Sequence, residues 1–350
     1  MLLSLASLTA SAEGPCDILA AAGNPCVAAH STVRALYKRY AGPLYKVMRQ
    51  PSNATANISV LEPGGFADIA AHDSFCAVSE CVIANVFDQS PRGNHLGQRI
   101  SDGIVHNMVN ASRHKIAVRG GVINVYGMWF DPGHGYHVDR TAGVAKGNDP
   151  ESIYAVMSGT RENTGKCCFD YGNSENTRKQ PVHTGDYACG AMEAIYFGNA
   201  HWQGNTGDGS TGPWVGADLE SGMYYGGGAT TKVNPLNKPL KHDFVSLHLK
   251  GRTDGFALKG GDATRGEFKT MYDGPRPDFR SAPNSCHWHN VSGTYQPMRK
   301  QGAIILGTGG DNSNGEVGNF YEGIMAAGVT TAATDAAIQA NIVAVGYQKL

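Results

Sequence analysis

The sequence predicts an all-β protein, a β-sandwich or jelly roll with two short peripheral helices. Its 350 residues include 46 glycines and 16 prolines, and only 17% of them are charged. Many short apolar runs are separated by clusters of Gly, Asn and Asp, which is typical of strands joined by tight turns. A chain of this length can bury a full core, and it contains no repeat or linker. We therefore expect one domain over residues 14–350.

Two segments have helical spacing of apolar side chains. The first covers residues 31–40 and could be capped by Ser31 or Thr32, and the second covers residues 334–345. The predicted strands, in chain order, cover residues 44–48, 81–87, 115–118, 122–130, 153–157, 192–197, 214–220, 244–249, 255–258, 303–306 and 320–326.

The charge pattern narrows the function classes. The formal net charge is -1, and no dense run of Lys and Arg occurs, which disfavours nucleic acid or an anionic membrane as a partner. No run approaches the roughly 20 apolar residues of a transmembrane helix. We expect a monomer that acts on a neutral substrate without a cofactor.

Several features predict a secreted protein. Eight cysteines, an even number with close local pairs, indicate disulfides and an oxidising compartment. Residues 1–13 form a short apolar segment with a small-x-small pattern at its end, which we interpret as a weak or truncated secretory signal. Four triplets are candidate N-glycosylation sites, at Asn53, Asn57, Asn110 and Asn290.

The stretch W-V-G-A-D-L-E-S at residues 214–221 is the first candidate for chemistry. Alternation along a strand puts Trp214, Asp218 and Glu220 on one face and apolar residues on the other. Two carboxylates on the floor of a groove suit general acid/base or glycosyl chemistry. The alternative interpretation is a solvated strand face.

The second candidate is I-I-L-G-T-G-G-D-N-S-N-G at residues 304–315, where a strand delivers Asp311 to the mouth of a sheet. Asp311 could instead cap its own backbone in an Asx turn. A calcium loop of the EF-hand type is disfavoured, because Glu316 stands where that loop requires glycine. We therefore expect no metal.

Two further features could contact a ligand. Cys167 and Cys168 are adjacent, and either they bond to different partners or they form a ring whose flat sulfur surface supports a ligand. In the latter case Cys189 and Cys286 remain to pair. Trp202 lies in a polar, Gly-rich stretch, where it could stack on a sugar or fold back onto the sheet.

Together these residues resemble the catalytic domain of glycoside hydrolase family 54, the fungal-type α-L-arabinofuranosidases. The resemblance runs in order from Gly14 to about Tyr347. It is carried by the blocks G-P-C-D-I at 14, P-C-V-A-A-H-S-T at 25, F-D-Q-S-x-x-G-N-H-L at 87, C-C-F-D-Y-G-N at 167, M-E-A-I-Y-F-G-N at 192, G-P-W-V-x-x-D-L-E at 212, A-I-I-L-G-x-G-G-D-N-S-N-G at 303 and F-Y-E-G at 320.

The resemblance implies a concanavalin-like or jelly-roll sandwich and retaining hydrolysis of terminal α-L-arabinofuranosyl groups of plant polysaccharides. It implies that Glu220 is the nucleophile and Asp311 the acid/base. A Cys167–Cys168 disulfide would then support the furanose ring. Trp202, Asp218 and the backbone of Gly310 would line the same subsite, and Cys16–Cys26 and Cys76–Cys81 would be local disulfides.

Three departures from the family pattern affect specificity. Ser221 stands where we expect asparagine, and residues 280–299 are longer than usual and contain Cys286. We hypothesise a Cys189–Cys286 disulfide that fixes this insertion near the site. The arabinose-binding β-trefoil that often follows in the family is not expected in this chain.

Three functions therefore compete. The leading hypothesis is a secreted exo-acting α-L-arabinofuranosidase acting on arabinoxylan, arabinan or related chains. A galactofuranosidase of the same fold is the alternative within the same class, and Ser221 could provide room for its substrate. A lectin-like module that binds furanosides without cleaving them is the alternative from a different class, and the presence of both Glu220 and Asp311 argues against it.

Overall fold

A computed structural model describes residues 13–101, 103–161, 165–176, 192–200, 206–219, 222–226, 233–276 and 298–350. In chain order the elements are α1 (Pro15–Ala21), β1 (Cys26–Ser31), β2 (Pro43–Arg49), β3 (Thr55–Ser59), α2 (Ile69–Cys76), β4 (Cys81–Val86), β5 (Leu96–Gln98), β6 (Ile100–Ser101), β7 (Ile104–Val105), β8 (His114–Val118), β9 (Ile123–Phe130), β10 (Tyr136–Val138), β11 (Glu151–Met157), β12 (Asp170–Ser174), β13 (Glu193–Gly198), β14 (Trp214–Asp218), β15 (Met223–Tyr224), β16 (Val245–Gly251), β17 (Gly255–Asp262), β18 (Lys269–Pro275), β19 (Ala303–Leu306), β20 (Gly318–Ala327), α3 (Ala332–Val343) and β21 (Gln348–Lys349).

Two antiparallel sheets account for most of these strands. The first has the order β18-β17-β16-β11-β20-β9-β8-β21, with β1 also paired to β20, and the second has the order β15-β14-β13-β12-β19-β10-β5-β4-β2-β3. The main core contains side chains from both sheets, such as Val215 of β14 and Leu247 of β16. Two sheets enclosing one apolar core form a β-sandwich, so the predicted fold class is confirmed.

The helices are predicted only in part. The C-terminal helix is present as α3, capped by the Thr331 side chain, which accepts a hydrogen bond from the Thr334 N–H. The prediction of a helix over residues 31–40 is wrong. There the backbone pairs with a distant segment instead, since Ala67 N donates to Val33 O at 2.9 Å and Ala35 N donates to Gly65 O at 2.8 Å. Helices α1 and α2 were not predicted.

No helix in the described part of the chain is long and apolar enough to cross a membrane. The predicted Cys16–Cys26 and Cys76–Cys81 disulfides are both present, with Cα atoms 5.6 Å and 5.7 Å apart. The first closes the loop that contains α1, and the second joins the end of α2 to the start of β4. Both lie on short local loops, as the cysteine spacing suggests.

Candidate active site

Strand β14 divides its side chains between two environments, as the sequence predicts. Val215 and Ala217 belong to the main core, whereas Trp214 packs on the opposite face of the sheet. There its ring lies 5.3 Å from that of Tyr225, in an edge-on arrangement. Period-two alternation puts Asp218 on this second face as well. The second face of the sheet therefore presents a carboxyl group beside buried aromatic rings.

The strand ends earlier than predicted. Its last residue is Asp218, and the next residue, Leu219, donates its N–H to Gly222 O at 3.3 Å. The strand expected to reach residue 220 therefore stops at residue 218. Glu220 and Ser221 lie outside the described residues.

The adjacent cysteines lie directly over this face. Cys167 and Cys168 are joined to one another, and Cys168 is buried against Tyr196 and Trp214. Its Sγ lies 3.7 Å from Oδ2 of Asp218. The disulfide and the carboxyl group of Asp218 therefore form one continuous surface.

The loop after β19 brings Asp311 to the same place. The Ser313 N–H donates to Asp311 Oδ1 at 2.8 Å, so the Asx turn foreseen from the sequence is present. The Ser313 hydroxyl also donates to Asp311 Oδ1, and its oxygen lies 3.2 Å from Cys167 Sγ. One serine thus links the exposed Asp311 carboxylate to the disulfide. The turn and the site are therefore compatible, since the turn orients the carboxylate.

Buried side chains hold this loop from behind. Arg99, only 1% exposed, donates from Nη2 to Gly310 O and from Nε to Asn312 Oδ1, both at 2.7 Å. Glu175 packs so closely against Gly310 that an added Cβ would lie 2.0 Å from its Oε2. Asn312 has a φ of 69°, in the left-handed region that asparagine tolerates. The residues on both sides of Asp311 are therefore fixed.

Asp170, the first residue of β12, is a component of the site that the sequence argument missed. It is fully buried, and its carboxyl group contacts that of Asp218. Burial, followed by the nearby charges of Asp218, Asp311 and Glu316, raises the pKa of Asp170 well above its usual range. An acidic residue between two aromatic residues, in the block C-C-F-D-Y-G-N, was the available signal.

Four residues of this site could be considered as metal ligands, because ligand atoms of Cys167, Cys168, Asp170 and Asp218 all lie within 4.8 Å of one another. The two sulfurs are bonded to each other, so they cannot act as thiolate ligands. Two carboxylates remain, fewer than the three protein ligands of a catalytic zinc site. The donor set of these four residues does not fit a zinc ion.

Other predicted residues are placed as follows. Asn53 and Asn57 are exposed, whereas the Asn110 side chain donates to Glu80 Oε1 at 2.7 Å. The remaining predicted residues lie outside the described part of the chain: Trp202, Cys189, Cys286 and Asn290.

The family model for the catalytic domain of alpha-L-arabinofuranosidase B matches residues 15–348. This chain belongs to that family. It is 45% identical over 342 residues to the probable alpha-L-arabinofuranosidase B of Aspergillus terreus, a match that covers 96% of this chain and 63% of the relative. It is 44% identical over 343 residues to the alpha-L-arabinofuranosidase of Hypocrea jecorina, with coverage of 96% and 63%.

Solved structures agree with the family assignment. An arabinofuranosidase complexed with arabinofuranosyl-alpha-1,2-xylobiose superposes with a TM-score of 0.85 at 39% identity, over 96% of this chain and 66% of that one. A GH54 arabinofuranosidase soaked with a cyclic sulfate inhibitor gives a TM-score of 0.84 at 40% identity, with coverage of 96% and 66%. The chain thus spans 63% of the length of these two curated arabinofuranosidases. The expected resemblance to family 54 is confirmed.

Proposed function

We propose that this protein is a secreted, retaining exo-α-L-arabinofuranosidase. The observation that carries the proposal is the convergence of three distant segments on one face of the second sheet. The Cys167–Cys168 disulfide, Asp218 at the end of β14 and the Asp311 loop are in contact there. Relatives of the same family are named alpha-L-arabinofuranosidases, which supports the substrate class.

In the proposed reaction Glu220 attacks the anomeric carbon of the arabinofuranosyl group. Asp311 donates its proton to the glycosidic oxygen as the carbon–oxygen bond breaks, and a glycosyl ester forms on Glu220. Asp311, now a carboxylate, then takes a proton from water. The water oxygen bonds to the anomeric carbon, and Glu220 leaves as a carboxylate. Two inversions give net retention.

The remaining residues bind the sugar in this proposal. The disulfide of Cys167 and Cys168 supports the ring by dispersion contacts, and Trp202 stacks near it. Asp218 accepts hydrogen bonds from sugar hydroxyls. The backbone of Gly310 and the side chain of Ser221 line the same subsite. These contacts suit a neutral, terminal furanose.

The natural substrates we infer are arabinofuranosyl-bearing plant polysaccharides and oligosaccharides, such as arabinoxylan and arabinan. The complex of a relative with arabinofuranosyl-alpha-1,2-xylobiose supports this class. We assign the catalytic domain to residues 14–350 and propose secretion and a monomeric state. We also propose N-glycosylation at Asn53 and Asn57, whose exposure supports it.

The test is hydrolysis of 4-nitrophenyl α-L-arabinofuranoside by the wild type, Glu220→Ala and Asp311→Ala, each with and without azide. Asp254→Ala serves as the matched control, since its carboxyl group is 86% exposed. We expect activity in the wild type and the control and its loss in both site variants. Azide should restore part of the activity of each variant by forming a glycosyl azide. The azides from the two variants should have opposite anomeric configurations, which distinguishes the nucleophile from the acid/base.

Other outcomes would decide against the proposal. A folded wild type that hydrolyses only a galactofuranoside would assign the substrate to the related sugar. A folded wild type that binds arabinofuranosides without cleaving them would support the lectin-like alternative. An Asp311→Ala variant as active as the wild type on every substrate would remove Asp311 from its role.

A further inference from the structure

Asp170 lies beneath the site, on the face of the second sheet that carries Asp218. It pairs across strands with Tyr196, and Tyr196 pairs in turn with Gly216 of β14. Asp170 and Asp218 are therefore two strands apart, and their carboxyl groups meet over β13. Oxygen atoms of both lie within 4.8 Å of the sulfurs of the disulfide. Asp170 is fully buried, and Asp218 is 5% exposed.

The surroundings of Asp170 disfavour a negative charge. Within the described part of the chain, no N–H or O–H group donates a hydrogen bond to either of its carboxyl oxygens. Among the residues that the structure describes, the strongest charge effects on it come from acids, namely Asp218, Asp311 and Glu316. The nearby tyrosines from β13 and from the residue after β15, Tyr196 and Tyr225, are buried and neutral. Burying an unpaired carboxylate carries a large free-energy cost.

Two neighbouring carboxyl groups can share one proton, which lowers this cost because the two groups then carry one negative charge instead of two. The proton belongs on Asp170, because Asp170 is the more deeply buried of the two. Asp218 is then the ionised partner, and its Oδ2 lies 3.7 Å from the Sγ of the buried Cys168.

We propose that Asp170 is a positioning residue: as a neutral acid it donates a hydrogen bond to the Asp218 carboxylate and fixes the orientation in which Asp218 faces the sugar. This inference rests on the proposed function, in which Asp218 accepts hydrogen bonds from the substrate. The pair carries one negative charge in total. Asp170 itself does not touch the substrate.

A spectroscopic experiment tests the charge state without relying on activity. Carboxyl ¹³C NMR of aspartate-labelled protein is recorded from about pH 5 to about pH 8, a range in which ordinary aspartates are ionised. We expect one aspartate signal to keep the chemical shift of a protonated acid, and we expect Asp170→Asn to remove it. A spectrum in which every aspartate is ionised at about pH 7 would overturn the proposal.

Kinetics test the positioning role. Asp170→Asn keeps a neutral donor for Asp218, so kcat/KM on 4-nitrophenyl α-L-arabinofuranoside should stay within about threefold of the wild type. Asp170→Leu keeps the volume but removes the donor, so KM should rise about tenfold or more with a smaller change in kcat. Circular dichroism and Tm confirm that each variant is folded.

The outcomes separate the competing explanations. If the folded Asn variant is as impaired as the Leu variant, Asp170 acts as a carboxylate, and the proposal is wrong. If the Leu variant has the KM of the wild type, Asp170 only fills space, and the proposal is again wrong. An inactive wild type that retains the protonated signal would contradict the proposed function but not the shared proton.

Discussion

The Arg99 guanidinium holds the carbonyl oxygen of Gly310 at 2.7 Å, across 211 residues of sequence. Arg99 follows β5, whereas Gly310 follows β19, and the two strands are separated in the sheet by β10. A second hydrogen bond runs from Arg99 Nε to Asn312 Oδ1. The arginine therefore bridges both neighbours of Asp311 and sets the position of its carboxylate.

Loss of Arg99 should damage acid catalysis more than binding. Arg99→Met removes the guanidinium N–H groups that donate to Gly310 O and Asn312 Oδ1. Arg99→Lys has a single ammonium group in place of the planar guanidinium, so it cannot make both hydrogen bonds in the same geometry. We expect kcat to fall by about tenfold to a hundredfold on an arabinofuranosyl oligosaccharide. The fall should be smaller on the 4-nitrophenyl glycoside, because nitrophenolate leaves without a proton. Equal losses on both substrates would contradict this role.

Gly310 is required because Glu175 occupies the space of any side chain there. In Gly310→Ala the new Cβ would lie 2.0 Å from Oε2 of the buried Glu175, so either the loop or this side chain must shift, and we expect at least a tenfold loss of activity. The matched control in the same loop is Gly315→Ala, whose Cβ would meet its nearest neighbour at 3.4 Å. A second change, Glu175→Ala, should restore part of the activity. Equal activity of the two single variants would argue against the steric explanation.

Replacing the adjacent cysteines should weaken substrate binding. In the double variant Cys167→Ser and Cys168→Ser the flat sulfur surface beside Asp218 is lost, and we expect KM to rise about tenfold, equivalent to about 1.4 kcal/mol. The control double variant is Cys76→Ser with Cys81→Ser, which removes the disulfide between α2 and β4. The control should lower Tm with little effect on KM. A KM increase of the same size in both would show that the effect is not local.

A buried ion cluster should contribute strongly to stability. Lys300 lies 2.7 Å from Glu193 and 3.2 Å from Glu151, and all three side chains are almost fully buried. Lys300→Met leaves buried carboxylates without this partner and should lower the free energy of unfolding by about 3–5 kcal/mol. Lys238→Met, at a lysine that is 65% exposed, should change it by less than about 1 kcal/mol. Denaturant unfolding of both variants measures the difference.

His72 should make the protein less stable in mild acid. Its ring is buried between Tyr45, whose hydroxyl lies 2.8 Å from Nδ1, and the stacked ring of Tyr126. Burial lowers the pKa of His72 from 6.5 to about 4, so the unfolded state binds the proton more tightly. Stability from this group is therefore complete above about pH 6.5 and is lost as the pH falls towards about 4.

The measurement is the free energy of unfolding of His72→Gln across this pH range. The variant should be less stable than the wild type at neutral pH but should lose less stability on acidification. Tyr45→Phe is the control, because it removes one partner but keeps the imidazole. A His72→Gln variant with the same pH slope as the wild type would contradict the prediction.

Local patterns were sufficient to predict the parts of the site that follow strand alternation. Trp214 and Val215 lie on opposite faces of β14, as period two requires. The loop that carries Asp311 was recognised from its glycines and its position after an apolar run. The same patterns predicted α3, whose first turn has a side-chain cap of its own.

The parts that could not be predicted depend on partners far away in the sequence. The apolar spacing of residues 31–40 resembles a helix, but hydrogen bonds to Gly65 and Ala67 determine the backbone there. The importance of Asp170 arises only when β13 and β14 assemble beside β12 and bring Asp218 to it. Likewise, nothing near Arg99 in the sequence indicates that it supports a loop more than 200 residues later.

The buried Glu193 has a consequence for how the family can diversify. Its carboxylate binds both Lys300, at 2.7 Å, and Arg276, at 3.3 Å, so the two ends of the intervening stretch are fixed independently of what lies between them. A sequence change between these two anchors therefore leaves both buried ion pairs of Glu193 in place, so the family can vary the intervening stretch without losing this part of the core.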